Sequence, residues 1–248
     1  MGVELAPRVV TAQDFLMGSI WEGTGDELHT NRLTARKSMF GQRILSGITG
    51  MLLVIDAYRP ELIWSSLSRL QWSFDGPLFE GTEVDVRGRS TGDEHIMSGT
   101  VGGEVVTHGT VVAGPPTAVT ARPGRASAGR TMTEADARLF QSWLPGDPTV
   151  GAGTPEHIPW PLIVLTASGL ITRGRHMGHF RTVLNRAFTW TFGPPVALEE
   201  TVHCEMGKVE RRPSASRPGM DVVRFEASVT ATESGNHVAS VEWVMICQ

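Results

Sequence analysis

The stretch Trp72-Ser73-Phe74-Asp75-Gly76-Pro77-Leu78 returns as Trp190-Thr191-Phe192-Gly193-Pro194-Pro195-Val196, 118 positions further on, and Val84 meets Val202 at the same offset. Two further blocks repeat upstream in the same order: V-T-A-Q-D from Val10 to Asp14 pairs with M-T-E-A-D from Met132 to Asp136, and Gly25-Asp26 pairs with Gly146-Asp147. Their offsets of 122 and 121 imply small insertions between blocks. Three matches in one order point to an internal duplication, which decides the fold before any single element is assigned. Between the copies lies G-P-P-T-A-V-T-A-R-P-G-R-A-S-A-G-R, Gly114 to Arg130, rich in Pro, Gly, Ser and Ala and poor in large apolar side chains. It reads as a linker. The expected organisation is therefore a domain over residues 1–116, a linker over 117–130 and a second domain over 131–248.

Working outward, each copy shows the same grammar. The apolar segment Ile48 to Tyr58 follows Ser46-Gly47, and Ile158 to Ile171 takes the matching place in the second copy. Both are apolar nearly all round, the mark of a helix enclosed by other structure. After each come alternating runs such as T-E-V-D-V-R-G, G-E-V-V-T-H-G-T-V-V-A, V-R-F-E-A-S-V-T-A-T and H-V-A-S-V-E-W-V-M-I, separated by Thr91-Gly92, Gly102-Gly103 and Ser234-Gly235. A period of two with glycine turns predicts antiparallel sheets with one buried face. A central helix followed by an antiparallel meander, twice over, predicts an α+β double hot dog: two antiparallel sheets, each wrapped around a long central helix. A second loop, R-R-P-S-A-S-R-P from Arg211 to Pro218, reads as a solvated hairpin connection.

Composition narrows the partners. Apolar residues make up 40% of the 248 residues and charged ones 19%, enough to build a core. A net charge of -4 gives no general attraction to nucleic acid or anionic lipid. Cys204 and Cys247 stand alone, with no disulfide or zinc spacing, which fits a reducing cytoplasm. The N-terminal M-G-V-E-L-A-P-R-V-V-T-A-Q-D-F lacks the pattern of a secretion signal, and no apolar run is long enough to span a bilayer. Metal-ligand spacing, phosphate loops and dinucleotide fingerprints are likewise missing, so no cofactor is expected.

The segment G-T-G-D-E-L-H-T-N-R-L-T-A-R-K-S-M-F-G-Q-R-I-L-S-G, Gly23 to Gly47, resembles the hydratase motif of MaoC-like proteins, the (R)-specific enoyl thioester hydratases and dehydratases. That motif runs Gly-Asp-x-Asn-Pro-x-His, then Ala-Arg, Phe-Gly, a short apolar stretch and a glycine opening the central helix. Here His29, Ala35-Arg36, Phe40-Gly41 and Ile44-Leu45-Ser46-Gly47 stand at those intervals. The block from Ser73 to Val84 is also similar to the family's strand after the helix. One departure is clear: the family's Asp position is Thr24 here, while Asp26 lies only three residues before His29. Either Gly25-Asp26 plays the part after a shortened loop, or the acidic partner is lost.

The resemblance implies a hydro-lyase that hydrates an enoyl thioester or dehydrates a 3-hydroxyacyl thioester in fatty acid or polyketide metabolism, on coenzyme A or an acyl carrier protein, in a homodimer. Asp26 and His29 would share a water as acid and base. The amide of Gly47, at the positive end of a buried helix and without a side chain to block approach, would hold the thioester oxygen. Thr24, Ser46, Arg36 and Arg43 would contact substrate, the arginines meeting phosphates. Against these stand plainer readings: Asp26 as a turn residue, Ser46 as a helix cap, the arginines as a solvated face, and His95, His108, His176, His179, His203 and His237 as solvated or satisfied strand residues. The second copy supplies no histidine in the motif position, His157 lying ten residues past Asp147, so its chemistry reads as decayed. A composite site of His29 with Asp147, a repurposed thioesterase, cyclase or isomerase, and a non-catalytic acyl-binding protein are the alternatives.

Overall fold

A computed structural model describes residues 3–23, 27–146, 156–173 and 183–247. Short strands β1 (Val3–Glu4) and β2 (Arg8–Val9) lead into helix α1 (Ala12–Glu22). Thr11 opens that helix through a reciprocal cap: its hydroxyl accepts from the Asp14 amide, and the Asp14 carboxylate accepts from the Thr11 amide at 2.8 Å. Short helices α2 (Glu27–Thr30) and α3 (Arg32–Arg36) precede the first central helix α4 (Gly47–Tyr58). Every residue of α4 from Ile48 to Ile55 is buried, as its unbroken apolar character requires. The meander follows as β3 (Leu67–Phe74), β4 (Glu83–Thr91), β5 (Glu94–Val101) and β6 (Glu104–Ala113).

The second copy repeats the plan. After β7 (Arg125–Ala126) and β8 (Arg130–Thr131), Thr133 and Asp136 cap α5 (Glu134–Trp143) by the same reciprocal bonds. The second central helix α6 (Trp160–Arg173) and strands β9 (Val183–Phe192), β10 (Thr201–Pro213), β11 (Asp221–Ala231) and β12 (His237–Cys247) complete it.

The two sheets expected from the sequence are hydrogen-bonded into one. Its order is β1-β4-β5-β6-β3-β9-β12-β11-β10-β7, antiparallel throughout, with β2 on β4 and β8 on β10. The seam pairs β3 with β9, the strands that carry the repeated tryptophan block. Leu70 faces Trp190, Trp72 faces Phe188, and Gln71 faces its own repeat equivalent Thr189. Two copies of one strand, paired antiparallel about equivalent residues, generate a local two-fold axis. An exposed strand edge in each half is thereby satisfied by the other.

The helices obey the same axis. Trp21 of α1 donates its indole N–H to Asp136 at 2.9 Å, and Trp143 of α5 donates to Asp14 at 2.8 Å. Arg8 and Arg130 supply the matching ion pairs to Asp14 and Asp136 at 3.3 and 3.1 Å. The two indoles stack at 6.3 Å. Each capping carboxylate is thus tied to the opposite half. The stretch read as a linker lies along the second copy: Thr117 donates its amide to Phe192 O, Arg122 to Ser228 Oγ and Ser127 to Cys204 O.

The hairpins are not equal in length. The β4–β5 hairpin has arms of 9 and 8 residues, whereas β10 and β11 have 13 and 11, with a register shift between Met206 and Val209 that bends the longer pair. Among the described residues no helix is long and apolar enough to cross a membrane.

Candidate active site

The N-terminus of α4 opens onto a cavity of about 120 Å³. His29, Ser46, Gly47, Phe74 and Leu78 line it from the first half, and Leu184, Arg186, Arg217 and Ile246 from the second. His29 stands on α2, whose Leu28 packs in a small cluster with Ala35 and Ile44. That cluster anchors the motif loop. The His29 Nδ1–H donates to the Ile44 carbonyl at 2.8 Å, which fixes the ring and assigns the basic lone pair to Nε2.

Leu45 is held by a bond from its amide to Leu78 O at 2.7 Å, and the chain then turns into α4 at Ser46. Ser46 occupies the cap position but its side chain does not cap: the hydroxyl donates to the buried Glu22 carboxylate at 2.5 Å. The positive end of the α4 dipole is therefore not answered by the Ser46 side chain. A Cβ on Gly47 would lie 2.9 Å from the Phe74 ring, so only glycine lets the ring and the helix tip approach this closely. An oxygen carrying developing negative charge could be held there beside the His29 imidazole.

Of the other residues singled out in the sequence, Arg36 is exposed and outside the cavity lining. Arg43 is also outside it, bonded to Glu80 at 2.8 Å with its guanidinium 4.7 Å over the Phe15 ring. Thr24, Asp26, Asp147, His176 and His179 lie outside the described residues. His29, Ser46 and Gly47 are brought together.

No protein-family model matches the chain, and no curated protein matches it in sequence. Solved structures do. A putative MaoC domain protein dehydratase from Chloroflexus aurantiacus is similar over 100% of this chain and 94% of that one, with a TM-score of 0.71 and 13% identity. A conserved hypothetical protein of Mycobacterium tuberculosis, described as having a double hotdog fold, is similar over 100% and 96%, with a TM-score of 0.69 and 9% identity. A further MaoC-like dehydratase covers 100% of this chain and 97% of its own, at a TM-score of 0.68 and 10% identity. The fold is the double hot dog.

Within this double hot dog the second helix tip is built from different residues. Ile158 N donates to Val196 O as Leu45 N does to Leu78 O, so Pro159 and Trp160 stand where Ser46 and Gly47 stand in the first half. Pro159 has no amide hydrogen, and Trp160 replaces the glycine, its indole N–H bonded to Leu62 O at 2.9 Å. A cavity of about 390 Å³ lined by His157, Pro159, Trp160 and Phe192 is the geometric twin of the first, with proline and tryptophan in the places of Ser46 and Gly47 and no histidine in the motif position.

Sequence reasoning missed the contribution of the second half to the first cavity. Arg186 of β9 donates to Asp75 at 2.7 Å and to Phe74 O at 3.1 Å, pinning the turn after β3 across the seam. His108, read as an ordinary strand residue, closes on the other oxygen of Asp75 at 3.0 Å. The available signal was a mismatch inside the repeat, since Asp75 corresponds to Gly193.

Proposed function

We propose that the chain is a hydro-lyase of the MaoC-like type, adding water to an enoyl thioester or removing it from a 3-hydroxyacyl thioester. One observation carries the reading: His29, with Nδ1 tied to Ile44 O, shares a cavity with the side-chain-free N-terminus of α4 at Gly47. In the hydration direction His29 Nε2 takes a proton from water as its oxygen bonds to the β-carbon. The electron pair of the double bond moves toward the thioester carbonyl, whose oxygen rests on the Gly47 amide. The α-carbon then takes a proton, and no oxidant or reductant is involved. Asp26, directly before α2 in the chain, is the carboxylate assigned to share the water with His29 and exchange that proton.

The test is loss of enoyl absorbance with crotonyl-CoA and longer enoyl thioesters. Turnover should fall by about 100-fold or more in His29→Ala, the scale of losing a positioned acid–base group. Wild-type protein inert toward every chain length and carrier would refute the assignment.

A further inference from the structure

The longer β10–β11 hairpin of the second half reaches the cavity at the α4 tip of the first half. The β10–β11 hairpin bends at its register shift near Met206 and Val209, and its tip brings Arg217 to the cavity lining. The tip is closed on itself: Ser214 N donates to Met220 O at 2.8 Å, Met220 N to Arg217 O at 3.1 Å, and Arg217 N to Ser214 Oγ at 3.2 Å. An ion pair between Arg211 and Asp221 ties the two arms just below it. The backbone of Arg217 is therefore held in place, while its guanidinium is exposed and has no hydrogen-bond or ion-pair partner among the described residues. The neighbouring arginines differ. Arg186 is committed to Asp75 and Phe74 O, and Arg43 to Glu80.

Size says what such a cation faces. A cavity of about 120 Å³ is small beside the roughly 300–1,000 Å³ of a pocket that encloses a whole ligand, so most of a thioester's carrier must stay at the mouth. Both biological carriers bear a phosphate ester on the pantetheine arm, and a guanidinium fork is matched to phosphate oxygens. We propose that Arg217 reads the phosphate of the thioester carrier, so that the enlarged second-half hairpin acts as the carrier-recognition element for the first-half site. This rests on the thioester reading above.

Binding separates the two claims, because it needs no turnover. Affinities of butyryl-CoA, butyryl-phosphopantetheine and butyryl-pantetheine would be measured by titration calorimetry on the wild-type protein, Arg217→Ala and Arg217→Lys. In Arg217→Ala, phosphate-bearing ligands should weaken by about five- to tenfold and butyryl-pantetheine by less than about twofold, with Arg217→Lys in between, as for one partly exposed charge-assisted contact. Equal sensitivity of phosphopantetheine and CoA places the contact on the phosphate common to both carriers; sensitivity of CoA alone places it on the nucleotide phosphates. Equal weakening of all three ligands, or none, overturns the role of Arg217 while leaving the thioester site standing. If no thioester binds the wild-type protein, both claims fall together.

Discussion

Replacing Gly47 by alanine probes the site at the tip of α4. The added Cβ would sit 2.9, 3.0 and 3.3 Å from three carbons of the Phe74 ring. Contacts under 3.0 Å do not persist, so the ring or the helix tip must move by several tenths of an ångström. Phe74 has little freedom to yield: it is 8% exposed, packs edge-on against Phe188 at 5.3 Å, and its carbonyl is held by Arg186. We expect a stability loss of about 1–3 kcal/mol, the range for overpacking a filled core. The catalytic loss should be larger than that strain explains. Displacing a preorganised oxyanion donor costs roughly 10²–10³ in kcat, or about 3–4 kcal/mol. Enoyl hydration assayed alongside urea unfolding separates the two effects. A folded Gly47→Ala protein whose kcat stays within threefold of wild type would mean that the α4 tip does not hold the reacting oxygen.

The remaining predictions concern the scaffold. Trp143→Phe removes the indole N–H from the buried Asp14 carboxylate and should destabilise the protein by about 1.5–3 kcal/mol in urea unfolding, with the mirror change Trp21→Phe acting on Asp136 in the same range. Burial works to raise the Asp136 pKa, but hydrogen bonds from Thr133 and Trp21 and the charge of Arg130 outweigh it and hold the carboxyl below the usual range. Its stabilising contribution is therefore complete above the unfolded value near about 3.9 and is lost as pH falls through the lower folded value; Asp136→Asn should flatten that acid limb of a Tm-versus-pH profile. Asp56 shifts upward, mainly through burial, so its ionised form opposes folding above the unfolded carboxylate pKa; Asp56→Asn should raise Tm at neutral pH and lose that advantage in acid. Burial pushes the Cys204 and Cys247 thiols up to about 12, so neither should react with a thiol reagent at pH 8 until denaturant is added.

Much of the local architecture was legible because its causes are local. Thr11 and Thr133 bond to residues three positions on, and the glycine turns and alternating strands are set by neighbouring φ and ψ. The tryptophan block exposed the duplication because Trp72 and Trp190 fill equivalent buried places at the seam. His29 and Gly47 could be paired in advance because the segment Gly23 to Gly47, which resembles the MaoC-like motif, carries both. Arg36 and Arg43 could not be placed, since a basic residue near a motif says nothing about which way it points: one turns to solvent, the other to Glu80. Ser46 illustrates the same limit. Its position is that of a cap, yet its hydroxyl answers Glu22, buried at the end of α1 and 24 residues away.

Sequence alone determined that two similar units exist and the kinds of element each contains, because hydrophobic period, caps and glycine turns are short-range properties. Tertiary structure decided that the two sheets fuse at β3 and β9, that Trp160 holds at the second helix tip the place Gly47 holds at the first, and that Arg186 and Arg217 of one half reach the cavity of its twin. Those contacts join residues 98 or more positions apart through a pseudo-two-fold axis, and an axis is a property of how surfaces pack, which no window along a chain contains.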